Sequence, residues 1–489
     1  MKFSELLNQA GVAVADRTGE ADVTDVQIDS RRCGAGSCFV AVRGAQHDGH
    51  DYVAGAVDAG CSAVVCENAR AVNTDVPHAT VDDTRNAAGR LAQAIRGWPA
   101  RRLTAAAVTG TNGKTTVAQL IRAVLTRAGR SAGLLGTIRY ETPHGTRPAA
   151  TTTPGPIALA ELTAEMTGAG CTHLVMEVSS HALDQRRTAG LAFVVGVFTN
   201  LSGDHLDYHG TMGAYVAAKR RLFEGLAPEA RAIINRDDPA GETMAAATRA
   251  EVLWFGLSPA SDVWARIERL DASGSRFALC YDDREVPVTT PLIGRHNVLN
   301  CVAAGAAGLA LGIELDVVAE GLACVQRVPG RLQRVAADAG FQVFVDYAHT
   351  DDALKNVLTA LKPLEHRRLI LVFGCGGDRD RAKRPRMARI AQELADRMFI
   401  TSDNPRSESP QAIIDEIVAG LDESGRARTT IEPDRRAAIS GAIDEAEPGD
   451  IVLIAGKGHE TYQDLGSHRV DFDDVAVADA SLRRRGVSA

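Results

Sequence analysis

The segment Thr109-Gly110-Thr111-Asn112-Gly113-Lys114-Thr115-Thr116 can bind a phosphate chain. It follows an apolar run, 103–108, that reads as a buried strand, and precedes Val117, Leu120, Ile121, Val124 and Leu125, which recur at helical spacing. A glycine-rich turn between a strand and a helix N-terminus points free amides at an anion, and the helix dipole favours negative charge there. The Lys114 ammonium reaches β- and γ-phosphates, and the Thr115 hydroxyl is placed to bind magnesium. Val108 stands where the usual motif has its first glycine.

Further groups able to do chemistry come in short clusters. Glu177-Val178-Ser179-Ser180-His181 follows another apolar run, so Glu177 would lie at a strand's carboxyl end, where a carboxylate can hold magnesium. The serines can equally cap a helix. Asp204-His205-Leu206-Asp207-Tyr208-His209-Gly210 packs two carboxylates and two imidazoles together, as a metal or phosphate site would, but without zinc-ligand spacing. Lys219 falls in an amphipathic helical pattern and, on that pattern alone, reads as a solvated surface lysine. Asn297 and Asn300 are unusual at the start of an Ala-rich helix unless they meet a polar ligand, and Arg331, next to Pro329-Gly330, is a candidate cation at a domain junction. Phe373-Gly374-Cys375-Gly376-Gly377-Asp378-Arg379 fails the dinucleotide test, because Arg379 occupies the third glycine position. Asp403-Asn404-Pro405-Arg406 and Gly456-Lys457-Gly458-His459-Glu460 each follow a strand candidate. Arg406 can pair a carboxylate through two parallel hydrogen bonds and Glu460 can accept from an ammonium, a combination suited to a zwitterion.

The elements that must position these groups are legible as alternation. Residues 1–100 mix short strands and helices, with runs at 38–42, 52–60 and 63–66, and Gly97-Trp98-Pro99 reads as a boundary. Strand candidates at 173–178, 191–198 and 231–234 follow the phosphate loop; beyond Pro329-Gly330 come 341–345, 369–373, 397–400 and 451–454. This alternation predicts α/β organisation, mostly parallel sheets with helices on both faces and ligands at the carboxyl ends of strands. The 489 residues suggest about three domains: 1–100, 101–330 and 331–489. Hydrophobic content of 45% and charged content of 24% describe an ordinary globular chain. A net charge of -8 argues against general nucleic-acid binding. No apolar run approaches the roughly 20 residues of a membrane span, and Met1-Lys2-Phe3-Ser4-Glu5 does not open a secretory leader. The nine cysteines are scattered without a CxxC pair and read as reduced thiols of a cytoplasmic protein.

Taken together these residues resemble the Mur ligase family of peptidoglycan synthesis. The resemblance runs through the whole chain in order: Asp29-Ser30-Arg31, Asp48-Gly49-His50, the GTNGKTT loop typical of ATP-dependent amide ligases, Thr151-Thr152-Thr153-Pro154, EVSSHAL from Glu177, DHLDYHG from Asp204, GRHN from Gly294, DYAHT from Asp346, GGDRDRAKRP from Gly376, DNPR from Asp403 and GKGHE from Gly456.

The resemblance implies a three-domain architecture with a central P-loop-type parallel sheet and a C-terminal Rossmann-like domain, the domains binding in turn a UDP-linked substrate, ATP and an amino acid. It implies that Ser30, Gln46 and His47 contact the uridine nucleotide. Thr152, Thr153, Ser179, Gln185 and Arg187 would contact the muramoyl-peptide of UDP-N-acetylmuramoyl-L-alanyl-D-glutamate. ATP would be held by Gly110, Thr111, Asn112, Gly113, Lys114, Thr115 and Thr116 with Asn297 and Arg331. Mg2+ would be held by Thr115, Glu177, His205 and Lys219, the last as a carbamate, which reverses the surface reading of that lysine. The catalytic set would be Lys114, Glu177, His205 and Lys219. DNPR resembles the diaminopimelate-adding branch, so Arg381, Asn404, Arg406, Gly456 and Glu460 would grip meso-2,6-diaminopimelate. A buried Arg406 left unpaired by lysine, which lacks the second carboxylate, would be costly, so lysine should be rejected. The expected protein is a cytoplasmic monomer. Rival readings are a folylpolyglutamate-type sister ligase, in which DNPR with GKGHE is not expected; a P-loop switch or kinase, which leaves the amino-acid-like loops without a role; and a non-catalytic UDP-sugar binding module, against which the full set of catalytic-type residues stands.

Overall fold

The computed structural model describes residues 1–44, 47–72, 75–335 and 340–486. Among the described residues three large sheets follow one another along the chain, and a two-stranded ribbon, Tyr462–Asp464 with Arg469–Asp471, follows the last strand of the third. The first is five-stranded, in the order Asp16–Thr18, His78–Thr80, Ala63–Cys66, Ser37–Val40, Asp25–Gln27, parallel except for the first pair. The central sheet has eleven strands. Its middle is parallel, in the order Glu251–Gly256, Arg231–Asn235, Phe193–Phe198, Thr104–Thr109, His173–Glu177, Ala132–Leu135. A meander of Val263–Asp271, Gly274–Tyr281 and Arg284–Thr290 extends one edge, and the hairpin Arg139–Thr142/Gly145–Pro148 extends the other. The third sheet has six strands, in the order Gln333–Val335, Gln342–Asp346, Ile451–Ala455, Leu369–Phe373, Arg397–Ile400, Thr429–Ile431, again parallel after its first pair.

The central parallel strands are largely apolar because both faces are covered. In Thr104–Thr109, alternate side chains point to opposite faces. Ala106 and Val108 pack with Val117, Ile121 and Val302, whereas Ala105 and Ala107 pack with Leu135, Met176 and Phe198. The third sheet divides the same way, Leu371 and Leu453 facing Leu358 and Met387, Ile370 and Val452 facing Ile439 and Val477. Functional side chains are thereby pushed to the strand ends, where the layers no longer cover them. Residues 52–60, one of the expected early elements, are the 3-10 turn Gly49–Tyr52 followed by the helix Val53–Asp58. Among the described residues no helix is long and apolar enough to cross a membrane.

Candidate active site

The strand Thr104–Thr109 ends directly at the phosphate loop, and the helix Lys114–Arg127 begins where it closes. Gly110 and Gly113 have φ of 149° and 84°, conformations in which a side chain is strained. A Cβ at Gly113 would also meet Asn300 Oδ1 at 2.5 Å. The loop is braced from the neighbouring strand end: Asn200 O and Oδ1 accept from the amides of Thr111 and Asn112 at 2.9 and 2.8 Å, and Thr199 Oγ1 donates to Asn112 O at 2.6 Å.

Around this loop stand the expected phosphate-handling groups. Lys114 Nζ donates to Gly110 O and Thr111 O at 2.9 and 2.7 Å; burial lowers its pKa, opposed by Glu177 and Asp204. Glu177 ends its strand and accepts from Thr115 Oγ1 at 3.0 Å, Thr137 N at 2.8 Å and Thr137 Oγ1 at 2.9 Å. Arg331 reaches across from the start of the third unit, its Nη2 3.2 Å from Thr115 Oγ1 and its guanidinium over the Tyr347 ring. Asn297 and Asn300, on the helix Arg295–Ala310, are buried and bonded to one another at 3.1 Å, with Asn297 Nδ2 donating to Ile293 O.

Lys219 is not the solvated lysine that its helical pattern suggests. It is 1% exposed, and its Nζ donates to Gly110 O at 2.7 Å. The helix Met212–Glu224 turns this face onto the loop, which hydropathy alone does not disclose. Burial, with the Lys114 charge beside it, lowers the pKa of this amine well below the ordinary lysine range. His205, with φ of 54°, sits beside Asp204 at 3.4 Å and is pushed down to about 4 by burial against the opposing pull of that carboxylate. Its ring packs among His181 and Tyr215.

A second group is contiguous with the first. Thr153 Oγ1 donates to Glu177 O at 2.9 Å and accepts from Ser179 N at 3.0 Å; Arg187 donates to Thr153 O and to Gln185 Oε1, each at 2.9 Å; and Thr152 Oγ1 lies 3.1 Å from Thr137 Oγ1. Ser179 also caps the helix Ser180–Asp184 through Ala182 N, so the capping role allowed by its sequence is real. Ser30 lies on the 3-10 turn Ser30–Arg32 of the first unit, and His47 is exposed beside Tyr52. Gln46 lies outside the described residues.

In the third unit Asn404, Arg406, Gly456 and Glu460 line one cavity of about 780 Å³. Asn404 Nδ2 donates to Glu460 Oε2 at 2.8 Å, and Arg406 Nη1 donates to Gly377 O at 2.6 Å. Arg381 does not join them: it is paired with Glu416 of the helix Pro410–Val418, and Arg379 lines the cavity instead. The two arginines are two residues apart on a tight turn, so their side chains diverge, and motif matching alone could not choose between them. Lys383 and Arg386 add positive charge to the same wall, and sequence reasoning passed over both.

A cavity of about 500 Å³ holds the phosphate loop, Glu177, Lys219 and Arg331; it shares Asp204, His205, Tyr347, His349 and Asp352 with the 780 Å³ cavity. Asp352 Oδ2 accepts from Asn112 Nδ2 at 3.0 Å, Ser202 Oγ at 2.7 Å and Asn356 Nδ2 at 3.1 Å, which ties the phosphate loop to the third unit. The cavity that holds the phosphate loop and the cavity of the third unit thus share a common wall.

This fold and site define an ATP-using ligase architecture, and sequence comparison agrees. The Mur ligase middle domain matches residues 108–308, the Mur ligase glutamate ligase domain 330–458, and the Mur ligase family catalytic domain 22–96. The chain belongs to the Mur ligase family. It is 44% identical, over 99% of its length and all of the relative's, to a protein of Geobacillus kaustophilus named UDP-N-acetylmuramoyl-L-alanyl-D-glutamate–2,6-diaminopimelate ligase. A protein of the same name from Gloeobacter violaceus is also 44% identical, over 99% of both chains. A solved structure of that name superposes with a TM-score of 0.68 at 33% identity, covering 95% of each chain. The MurF ligase of Thermotoga maritima, solved with ADP, shares the fold at a TM-score of 0.63 and 19% identity, covering 95% of this chain and 99% of its own.

Proposed function

We propose that this protein is an ATP-dependent amide ligase that joins meso-2,6-diaminopimelate to UDP-N-acetylmuramoyl-L-alanyl-D-glutamate in the cytoplasm. The observation that carries this reading is the shared wall: the phosphate loop with Glu177 and Lys219 faces the Arg406–Asn404–Glu460 cavity across Asp204, His205 and His349. A carboxylate activated in the first cavity would meet an amine held in the second. The names of the 44%-identical relatives support the choice of substrates.

A carboxylate is a poor acceptor for an amine, so its activation by ATP as an acyl phosphate is the proposed first step. Lys114 and the loop amides offset charge on the transferring phosphoryl group, while Arg331 and Asn297 orient the nucleotide. Thr152, Thr153, Ser179, Gln185 and Arg187 hold the peptide end with its terminal carboxylate near Glu177, while Ser30, Gln46 and His47 hold the uridine end. Asn404, Arg406, Gly456 and Glu460, joined by Arg379, hold the amino acid with its amine toward the common wall. Attack on the acyl carbon forms the amide and releases phosphate. The interdomain bonds at Asp352 and Arg331 favour a closed arrangement that keeps water from the acyl phosphate.

The donor chemistry around Glu177 suits a hard cation. Thr115 supplies a hydroxyl, Glu177 a carboxylate and His205 an imidazole that burial keeps neutral. A carbamate on Lys219 would add an anionic oxygen. These residues would hold Mg2+, which when bound stabilises negative charge on phosphate oxygens. The proposed domain roles are uridine binding by 1–100, ATP binding by 101–330 and amino-acid binding by 331–489, in a monomer. Light scattering that returns the mass of a dimer would refute the last point.

The test is phosphate release from ATP with the UDP-muramoyl-dipeptide, comparing meso-diaminopimelate with L-lysine. Release that requires diaminopimelate supports the reading. Release that needs no amino acid overturns it in favour of a switch or kinase. Oxygen-18 in the glutamate carboxylate must appear in the released phosphate if the acyl-phosphate route operates.

A further inference from the structure

Lys457 is fully buried, yet it does not line the amino-acid cavity; it lies directly behind two residues that do. Its Nζ donates to Asn404 Oδ1 at 3.0 Å and to Glu460 Oε2 at 3.1 Å. Asn404 Oδ1 accepts a second bond, from Asp464 N at 2.9 Å, and Asn404 Nδ2 donates to Glu460 Oε2 at 2.8 Å. The three side chains form a closed triangle, with the backbone of the ribbon strand Tyr462–Asp464 as its fourth support.

The two ends of a primary amide have nearly the same shape, so packing alone does not decide which end faces a ligand. Donors decide it. An ammonium and a backbone N–H can only donate, and both converge on one end of Asn404. That end must be the oxygen, which leaves the NH2 end on the Glu460 side. The same ammonium and the amide together occupy Glu460 Oε2, and so hold the carboxylate in one rotamer. The buried positive charge also offsets Glu460 and keeps a carboxylate at the pocket wall affordable.

We propose that Lys457 is the positioning residue that sets the amino-acid specificity of this site, by fixing the Asn404 amide and the Glu460 carboxylate in the one orientation that reads an ammonium and a carboxylate on the same substrate end. This rests on the ligase reading above. Lys457 touches no substrate in this scheme; it acts through its two partners.

The test is steady-state kinetics of the full chain carrying Lys457→Met, which keeps the length of the side chain and removes its donors. The KM for meso-diaminopimelate should rise about 10- to 100-fold, the effect of losing one charge-assisted hydrogen-bond set. The KM values for ATP and the UDP-muramoyl-dipeptide should stay within about threefold, and the preference for diaminopimelate over lysine should narrow. Asn404→Ala should show the same pattern, and adding Lys457→Met to it should cost clearly less than Lys457→Met costs alone, the remainder being its hold on Glu460. If Lys457→Met does not fold, Lys457→Gln, which removes the charge but keeps an NH2 donor group, is read in the same way with an increase of about tenfold. Additive losses, equal increases in all three KM values or an unchanged KM for diaminopimelate would overturn the inference. A wild-type enzyme with no response to diaminopimelate would instead sink the ligase reading, and the inference with it.

Discussion

Replacing Arg406 by lysine keeps the charge in the amino-acid cavity but removes the planar fork. In the structure the guanidinium is oriented by Nη1, which donates to Gly377 O at 2.6 Å, and the residue sits in a left-handed turn with φ of 52° whose amide donates to Asp464 O at 3.1 Å. The arginine side chain is therefore anchored at both ends and presents its remaining N–H groups in a fixed plane. A lysine there would keep one charge-assisted hydrogen bond to a distal carboxylate and lose its parallel partner, a loss of about 1.5–2 kcal/mol. At 1.4 kcal/mol per factor of ten, kcat/KM for meso-diaminopimelate should fall by about 10- to 30-fold. L-Lysine has no second carboxylate to lose, so its kcat/KM should change by less than about threefold and the ratio between the two substrates should collapse by nearly the whole loss. The assay is phosphate release under saturating ATP and UDP-muramoyl-dipeptide with each amino acid in turn. An equal fall with both would mean that Arg406 supports the fold of the loop rather than reading the carboxylate. No fall with diaminopimelate would place carboxylate recognition elsewhere, Arg379, Lys383 and Arg386 being the other cations that line the cavity.

Lys219→Ala should lower kcat by about 10²- to 10³-fold, as expected when one preorganised charge-stabilising group is lost; a carbon-13 carbamate resonance seen after labelling with bicarbonate should vanish in the variant, and its presence there would refute the assignment. Asp474→Ala strands the Arg435 guanidinium, which is fully buried and bound to that carboxylate at 2.8 and 2.7 Å, so the third unit should lose about 3–5 kcal/mol in denaturant unfolding. Converting both partners to apolar residues should recover much of that loss, and failure to do so would point to a further role for the pair. Hydrogen bonds from Arg384 hold the Glu408 carboxyl at about 2, against 4.5 for the unperturbed group, so its stabilisation is complete above about 4.5 and is lost as pH falls toward 2. Glu408→Gln should flatten the pH dependence of the melting temperature in that window; an unchanged slope would refute the contribution.

Much of the layout was legible in sequence because parallel strands covered on both faces must be apolar throughout. The runs at 369–373 and 397–400 coincide with observed strands, and those at 103–108, 173–178 and 451–454 match within a residue or two. The edges were not legible. Val263–Asp271 alternates apolar residues with arginine and glutamate, because one face packs on the core and the other meets solvent, and it gave no continuous apolar signal. The hairpin strands Arg139–Thr142 and Gly145–Pro148 are four residues each, and the second is exposed throughout, so neither gave an apolar run.

Residue type and order along the chain determined the chemistry available: a phosphate loop, a carboxylate at a strand end, and two loops fit for a zwitterion. Local sequence carries these because each depends on a turn, a helix start or a strand end within a few residues. Tertiary structure alone decided that Lys219 is buried against Gly110, that Arg379 rather than Arg381 reaches the cavity, and that Asp352 clasps the phosphate loop from 240 residues away. It also decided that Lys457 stands behind Asn404. The physical reason is common to all four: burial and partner choice belong to surfaces that meet only when segments distant in the chain pack together, and no periodicity within one segment encodes what will lie against it.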